Sequence, residues 1–212
     1  TGRRSEADTQ RTLGIRKLDE GEIAIPVALR ASSIAVDTEI PEPDDGSDAR
    51  LPPHHIRFCT ASDGTGLAYS VVGDGPALVK TANWLNHLDY DWESPMWRHW
   101  LRAIVRERKL VRYDERGNGL SDWKTVDISF EAFVDDLASV VDAAGLDRFD
   151  LLGISQGCSV SIAYAVRHPE RVRRLILFGG YAAGWRLRGS PEEIARREAM
   201  LTLTLQGWGQ DN

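Results

Sequence analysis

The chain has 212 residues, 42% hydrophobic and 27% charged, a balance that fits one sizeable globular core plus a tail. A formal net charge of −6 and a pI of 5.4 argue against a phosphate-binding surface, so no nucleic-acid contact by this segment is expected. No apolar run approaches the roughly 20 residues of a membrane span and the N-terminus is too polar for a signal peptide, which predicts a cytoplasmic segment with no membrane association.

Residues 1–52 are rich in charge and hold no aromatic residue. They run into Pro41-Glu42-Pro43-Asp44-Asp45-Gly46-Ser47-Asp48, an acidic, proline-rich stretch that cannot pack a core and reads as a linker. Within them Ile23-Ala24-Ile25-Pro26-Val27-Ala28-Leu29 is apolar but short and broken by proline. It fits the end of an upstream domain or a strand with a partner elsewhere, and periodicity does not distinguish the two.

From residue 53 to 212 the texture is compact α/β. Ile56–Thr60 and Leu67–Val72 read as strands joined across Ser62-Asp63-Gly64-Thr65-Gly66, a hairpin signal. After the turn at Gly73-Asp74-Gly75-Pro76, Ala77–Thr81 is a third strand, and the loop Ala82–Leu88 leads to a tryptophan-rich helix from about Glu93 to Glu107. Trp97, Trp100, Leu101, Ile104 and Val105 share one face of that helix, as core packing requires. His87 sits near Asp89, Asp91 and Glu93, but the mixed spacing and the lack of a second histidine read as a solvated loop rather than a metal site.

Lys109–Tyr113 is the next strand. It opens into Asp114-Glu115-Arg116-Gly117-Asn118-Gly119-Leu120-Ser121-Asp122, whose Gly-x-Gly is no dinucleotide fingerprint, because Ser121-Asp122-Trp123-Lys124 separates it from any helix; no cofactor is expected. An Asp/Arg pair beside a glycine turn fixes a loop more often than it catalyses, so Asp114 and Arg116 are assigned a structural role. A helix with Phe130, Phe133, Leu137, Val140 and Val141 on one face follows and ends at Gly145.

Phe149-Asp150-Leu151-Leu152 then runs into Gly153-Ile154-Ser155-Gln156-Gly157, and a helical pattern resumes through Ala163, Tyr164 and Val166 to His168-Pro169. A serine hydroxyl is a weak nucleophile. It must stand clear of the backbone, near a base, and beside amide donors that hold a developing oxyanion. A strained strand-to-helix turn gives that exposure, and Gly153 and Gly157 remove the side chains that would collide across it. Ser155 is therefore the candidate nucleophile, with the Gln156 amide, at a helix N-terminus, a candidate oxyanion donor. Arg174–Phe178 has the character of a buried strand, and Ser190-Pro191-Glu192-Glu193 starts a last helix with N-cap, first-turn proline and acidic residues in place. Cys59 and Cys158 read as free core thiols.

Alternating strands and helices imply a mostly parallel sheet with helices on both faces and the site at the strand C-terminal ends. The hairpin, the Asp114-x-Arg116-Gly117-x-Gly119-x-Ser121 turn, the Gly153-x-Ser155-x-Gly157 elbow and the His168-Pro169-Glu170-Arg171-Val172 link together resemble the N-terminal part of the α/β-hydrolase fold family. The wording of Ala82–Leu88 and of Tyr113–Gly117 further resembles hydrolase domains fused to bacterial transcriptional regulators or nucleotide cyclases.

The resemblance implies Ser155 as nucleophile and the amides of Gln156 and Trp84 as oxyanion donors; Ala82-Asn83 stands where the family commonly has His-Gly. It implies a substrate pocket at Asn83, Trp84 and Leu85, with no metal, and a small ester or acyl compound as ligand. Trp185 and Leu187 fit either an acyl pocket or ordinary packing. In the family the acid and the histidine follow the serine on loops after later strands, and the resemblance implies that the sequence ends before both, so the domain is expected to be truncated on its C-terminal side and to turn over esters poorly or not at all by itself. The alternative implied by the narrower resemblance is a ligand-sensing domain of a multidomain regulator or cyclase, with little turnover.

Overall fold

A computed structural model describes residues 54–181 and 184–208. The N-terminal segment and linker expected over residues 1–52 lie outside the described residues. The hairpin forms as its turn residues direct: β1 (Ile56–Thr60) pairs antiparallel with β2 (Gly66–Val72), Ile56 opposite Ser70 and Thr60 opposite Gly66. Beyond it come β3 (Ala77–Lys80), β4 (Lys109–Tyr113), β5 (Phe149–Ile154) and β6 (Val172–Phe178). The sheet order is β1-β2-β4-β3-β5-β6; β2 is antiparallel to β4, and the last four strands run parallel.

Successive side chains of the parallel strands point to opposite faces, and the sequence fills both with apolar residues. Val79, Val111 and Leu151 face one core with Leu137, Val140, Val160 and Tyr164, contributed by α3 (Phe130–Ala143) and α4 (Gly157–Arg167). Their neighbours Leu78, Leu110 and Leu152 face a second core with Trp92, Leu101 and Val105, from α1 (Tyr90–Glu93) and α2 (Arg98–Val105). The mostly parallel sheet with helices on both faces is thus present. Ser129 caps α3 by accepting the Ala132 amide at 3.2 Å, and Gly145 closes it with a φ of 66°. Phe130, expected on the buried face, is exposed at the first turn instead.

Two further expectations change. The tryptophan-rich helix is split into α1 and α2, because Pro95 disfavours helical backbone at the residue before it, and Ser94 is extended with a ψ of 125°. β6, expected to be buried, lies at the sheet edge with only β5 beside it among the described residues, and Leu175 to Phe178 remain between 39% and 57% exposed. An apolar run takes its burial from its neighbours, and among the described residues β5 is the one strand paired with it. The chain continues through α5 (Trp185–Arg188) to α6 (Pro191–Gly207), whose Ser190 cap accepts the Glu193 amide at 3.2 Å. Both thiols are free, Cys158 buried and Cys59 half-buried. No described helix is long and apolar enough to cross a membrane.

Candidate active site

β5 ends at Ile154 and α4 begins at Gly157, so Ser155 and Gln156 make the whole turn. Ser155 adopts a φ of 52°, a left-handed backbone that non-glycine residues rarely hold, and its side chain is exposed. Two backbone hydrogen bonds pin it: its amide donates to the Phe178 carbonyl at 2.9 Å, and its carbonyl accepts the Cys158 amide at 3.1 Å. The glycines clear the space, though not quite as a mutual collision. A methyl at residue 153 would meet Ser161 Oγ at 2.7 Å, Cys158 Cα at 2.8 Å and the Gly157 carbonyl at 2.9 Å. One at residue 157 would instead meet the Ala82 carbonyl at 2.8 Å, on the loop after β3. Close approach of that loop to the elbow, rather than the elbow alone, requires the second glycine.

That loop is fastened to its surroundings. The Thr81 amide donates to the Leu152 carbonyl at 2.9 Å, and its hydroxyl lies 2.6 Å from that of Ser161. Leu85 turns the chain with a φ of 60°, and Asn86 donates through Nδ2 to the Tyr113 carbonyl and to Asp114 Oδ1, both at 2.8 Å. Asp114 in turn accepts the Leu120 amide at 2.8 Å, and a side chain at Gly119 would overlap its carboxylate. Arg116 donates from Nε and Nη2 to the buried Asp136 carboxylate at 2.7 and 2.6 Å and from Nη1 to Asp63 at 2.6 Å. Every partner of Asp114 and Arg116 is a loop or helix anchor, which fits the structural role assigned to them.

The two residues expected to supply the oxyanion donors meet through a side chain. The backbone N–H of Trp84 points at Gln156, but it donates to that residue's side-chain Oε1 at 3.1 Å. The same side chain donates through Nε2 to Glu115 Oε1 at 2.7 Å. Glu115 is 8% exposed, and burial, reinforced by Asp136, pushes its carboxyl up to about 7. Among the described residues no side chain hydrogen-bonds Ser155 Oγ, and no His/Cys/Asp/Glu group is arranged to hold a metal ion. His87 accepts the Asp89 and Tyr90 amides through Nδ1 at 3.2 and 3.4 Å, so it caps α1 locally rather than serving Ser155.

Asn83, Trp84 and Leu85 line a single cavity of about 440 Å³ on the α1/α2 side of the sheet, together with Lys80, Tyr90 and Trp97. Trp185 and Leu187 do not border it; Leu187 is 84% exposed. Trp84 instead meets Trp208, from the end of α6, with ring centroids 5.9 Å apart. Sequence reasoning missed Glu115 and Lys80. The signal for Lys80 was a charge in step with Leu78 on a buried strand; for Glu115 it was a carboxylate just past the C-terminal end of β4, where sites of such sheets collect.

Residues 85–198 match the family described as alpha/beta hydrolase fold. Among curated proteins the chain is 34% identical over 118 residues to a 2-hydroxy-6-oxo-2,4-heptadienoate hydrolase of Pseudomonas putida, covering 55% of this chain and 38% of that relative. Among solved structures it resembles a hydrolase from Pseudomonas aeruginosa, with a TM-score of 0.59, 28% identity and coverage of 73% of this chain and 54% of that one. It also resembles the esterase RhEst1 from Rhodococcus sp., with a TM-score of 0.52, 29% identity and coverage of 63% and 48%. The chain spans 38% to 40% of the length of the first curated relatives it matches.

Proposed function

The chain belongs to the α/β-hydrolase fold family, and from that premise we propose that it carries the nucleophile of a serine hydrolase that opens a small carboxylic ester or related acyl compound through an acyl-enzyme. One observation carries the reading: an exposed serine is held at a φ of 52° between β5 and α4, where Gly153 and Gly157 let the helix and the loop after β3 pack against the turn. Strain of this kind is kept where it positions a reacting group.

In the proposed reaction Ser155 Oγ attacks the acyl carbon, forming the Oγ–C bond as the carbonyl π pair moves onto oxygen. The Gln156 amide, at the start of α4, meets that oxyanion with the favourable end of the helix dipole behind it. The Trp84 amide is the second donor, and it becomes available when the Gln156 side chain releases it. Collapse of the oxyanion expels the alcohol, and water then frees the acid. In each step a base takes the proton of the attacking group, the Ser155 hydroxyl and then water, and returns it to the departing oxygen; the reading has that base supplied by a part of the protein outside the described residues. Asn83, Trp84 and Leu85 are the residues proposed to meet the acyl chain; the cavity they line does not itself include Ser155.

The test is the intact mass of the full-length gene product before and after incubation with a fluorophosphonate, alongside Ser155→Ala. A single adduct that vanishes in the variant is the expected result. A folded protein that takes no adduct would overturn the reading and leave a domain that binds a ligand without acting on it.

A further inference from the structure

Lys80 stands where the alternation of β3 sends it. Leu78, two residues earlier, packs into the core beneath α1 and α2, so Lys80 points to the same face one step nearer the strand's C-terminal end. It is only 7% exposed. A buried ammonium is costly unless paired, yet no carboxylate lies within ion-pair distance of it among the described residues. Its Nζ donates to a neutral acceptor, Asn83 Oδ1, at 2.6 Å and sits 5.9 Å from the centroid of the Trp97 ring. An ammonium has three donors, and this one bond occupies one of them.

The surrounding charges are committed elsewhere. Asp91 of α1 is paired with Arg112 of β4 at 3.0 Å, Asp114 with the Leu120 amide and Asn86, and Glu115 with Gln156. His87, on the loop, turns its Nδ1 to backbone amides. Lys80 therefore faces the cavity of about 440 Å³ with donors to spare, beside Trp84, Tyr90, Met96 and Trp97. A fixed cation next to flat apolar walls suits a ligand with a carboxylate at one end and an aromatic or unsaturated body behind it.

We propose that this cavity is a binding site for a small organic monocarboxylate, anchored by Lys80 with Asn83 holding the ammonium in place. A single negative charge fits better than two, because Asp91, Asp114 and Glu115 all act on the same ammonium and would repel a dianion. The inference stands apart from the acyl-enzyme reading, since binding needs no nucleophile. Burial, followed by Arg112, brings Lys80 down to about 8, against the pull of the three carboxylates. A carboxylate ligand favours the charged form, so binding weakens as pH rises through that value.

The experiment is a calorimetric titration of the full-length protein, of Ser155→Ala and of Lys80→Met with phenylacetate, 2-phenylethanol and benzylphosphonate. Phenylacetate is expected to bind at least about tenfold more tightly than the alcohol and to lose at least about tenfold in Lys80→Met, the range for hydrogen bonds to charged groups. It should bind equally well to Ser155→Ala, and its affinity should fall between about pH 7 and about pH 9.5. The site is refuted if phenylacetate shows no binding up to roughly 10 mM, if acid and alcohol bind alike, if a folded Lys80→Met binds as well as wild type, or if benzylphosphonate binds more tightly than phenylacetate. Should Lys80→Met fail to fold, the acid-to-alcohol ratio and the pH dependence of the wild type decide alone. A wild-type protein that takes no fluorophosphonate adduct yet still binds phenylacetate would sink the hydrolase reading and leave this one standing.

Discussion

The side-chain Oε1 of Gln156 accepts the backbone N–H of Trp84 at 3.1 Å, across 72 positions of sequence. The residue whose own amide is one proposed oxyanion donor thereby occupies the other. A substrate oxygen has to displace that contact to be held by both.

Removing the competing side chain should therefore speed the reaction. A neutral hydrogen bond is worth about 0.5–1.5 kcal/mol net, so Gln156→Ala, which keeps the backbone donor at that position, is expected to raise the rate of fluorophosphonate labelling about 2- to 10-fold. A rate equal to wild type, or slower, would mean that the Trp84 amide takes no part.

Glu115 makes stability depend on pH. Its folded value of about 7 lies above the ordinary 4.5, so between the two the native state holds a proton that the unfolded chain has lost. The stability that Glu115 contributes is full below about pH 4.5 and is lost as pH rises to about 7. Glu115→Gln removes this titration while keeping an acceptor for Gln156. In urea melts the variant should gain on wild type by up to about 3 kcal/mol between about pH 4.5 and about pH 8. A gap that does not change with pH would contradict the assignment.

The backbone of Ser155 carries strain that glycine would not feel, since its φ is 52°. Ser155→Gly should unfold at higher denaturant by about 1 kcal/mol, whereas Ser155→Ala should show no gain. Both lose the adduct. If the two variants are equally stable, the turn is not strained.

Arg116 and Asp136 are both 1% exposed at their side chains, and their charges face each other in a paired, two-bond contact. Arg116→Met leaves the carboxylate buried without its partner and should cost about 3–5 kcal/mol. Adding Asp136→Leu should recover much of that loss, because two apolar groups in place of a buried pair are often tolerated. A double variant no more stable than Arg116→Met would show that Arg116 matters through Asp63 or through packing instead.

The sequence by itself determined the elbow, the alternation that fills both faces of the sheet, and the caps of α3 and α6. Each depends on residues a few positions apart: Gly153 and Gly157 around Ser155, Leu151 and Leu152 on opposite faces, Ser190 three residues before Glu193. Local geometry is enough to specify them. The break between α1 and α2 was legible too, in Pro95, but the apolar spacing of the tryptophans masked it. Only the tertiary structure decided the rest. Glu115 follows β4 and Gln156 follows β5, with β3 lying between those strands, so their contact exists because of a strand order that no local pattern records. Among the described residues β6 is paired with β5 alone despite its apolar sequence, and the same order brings Lys80 beside Trp97. Backbone motifs are written in neighbouring residues; the partners and the burial of a polar side chain are set by which distant segments the sheet brings to its side.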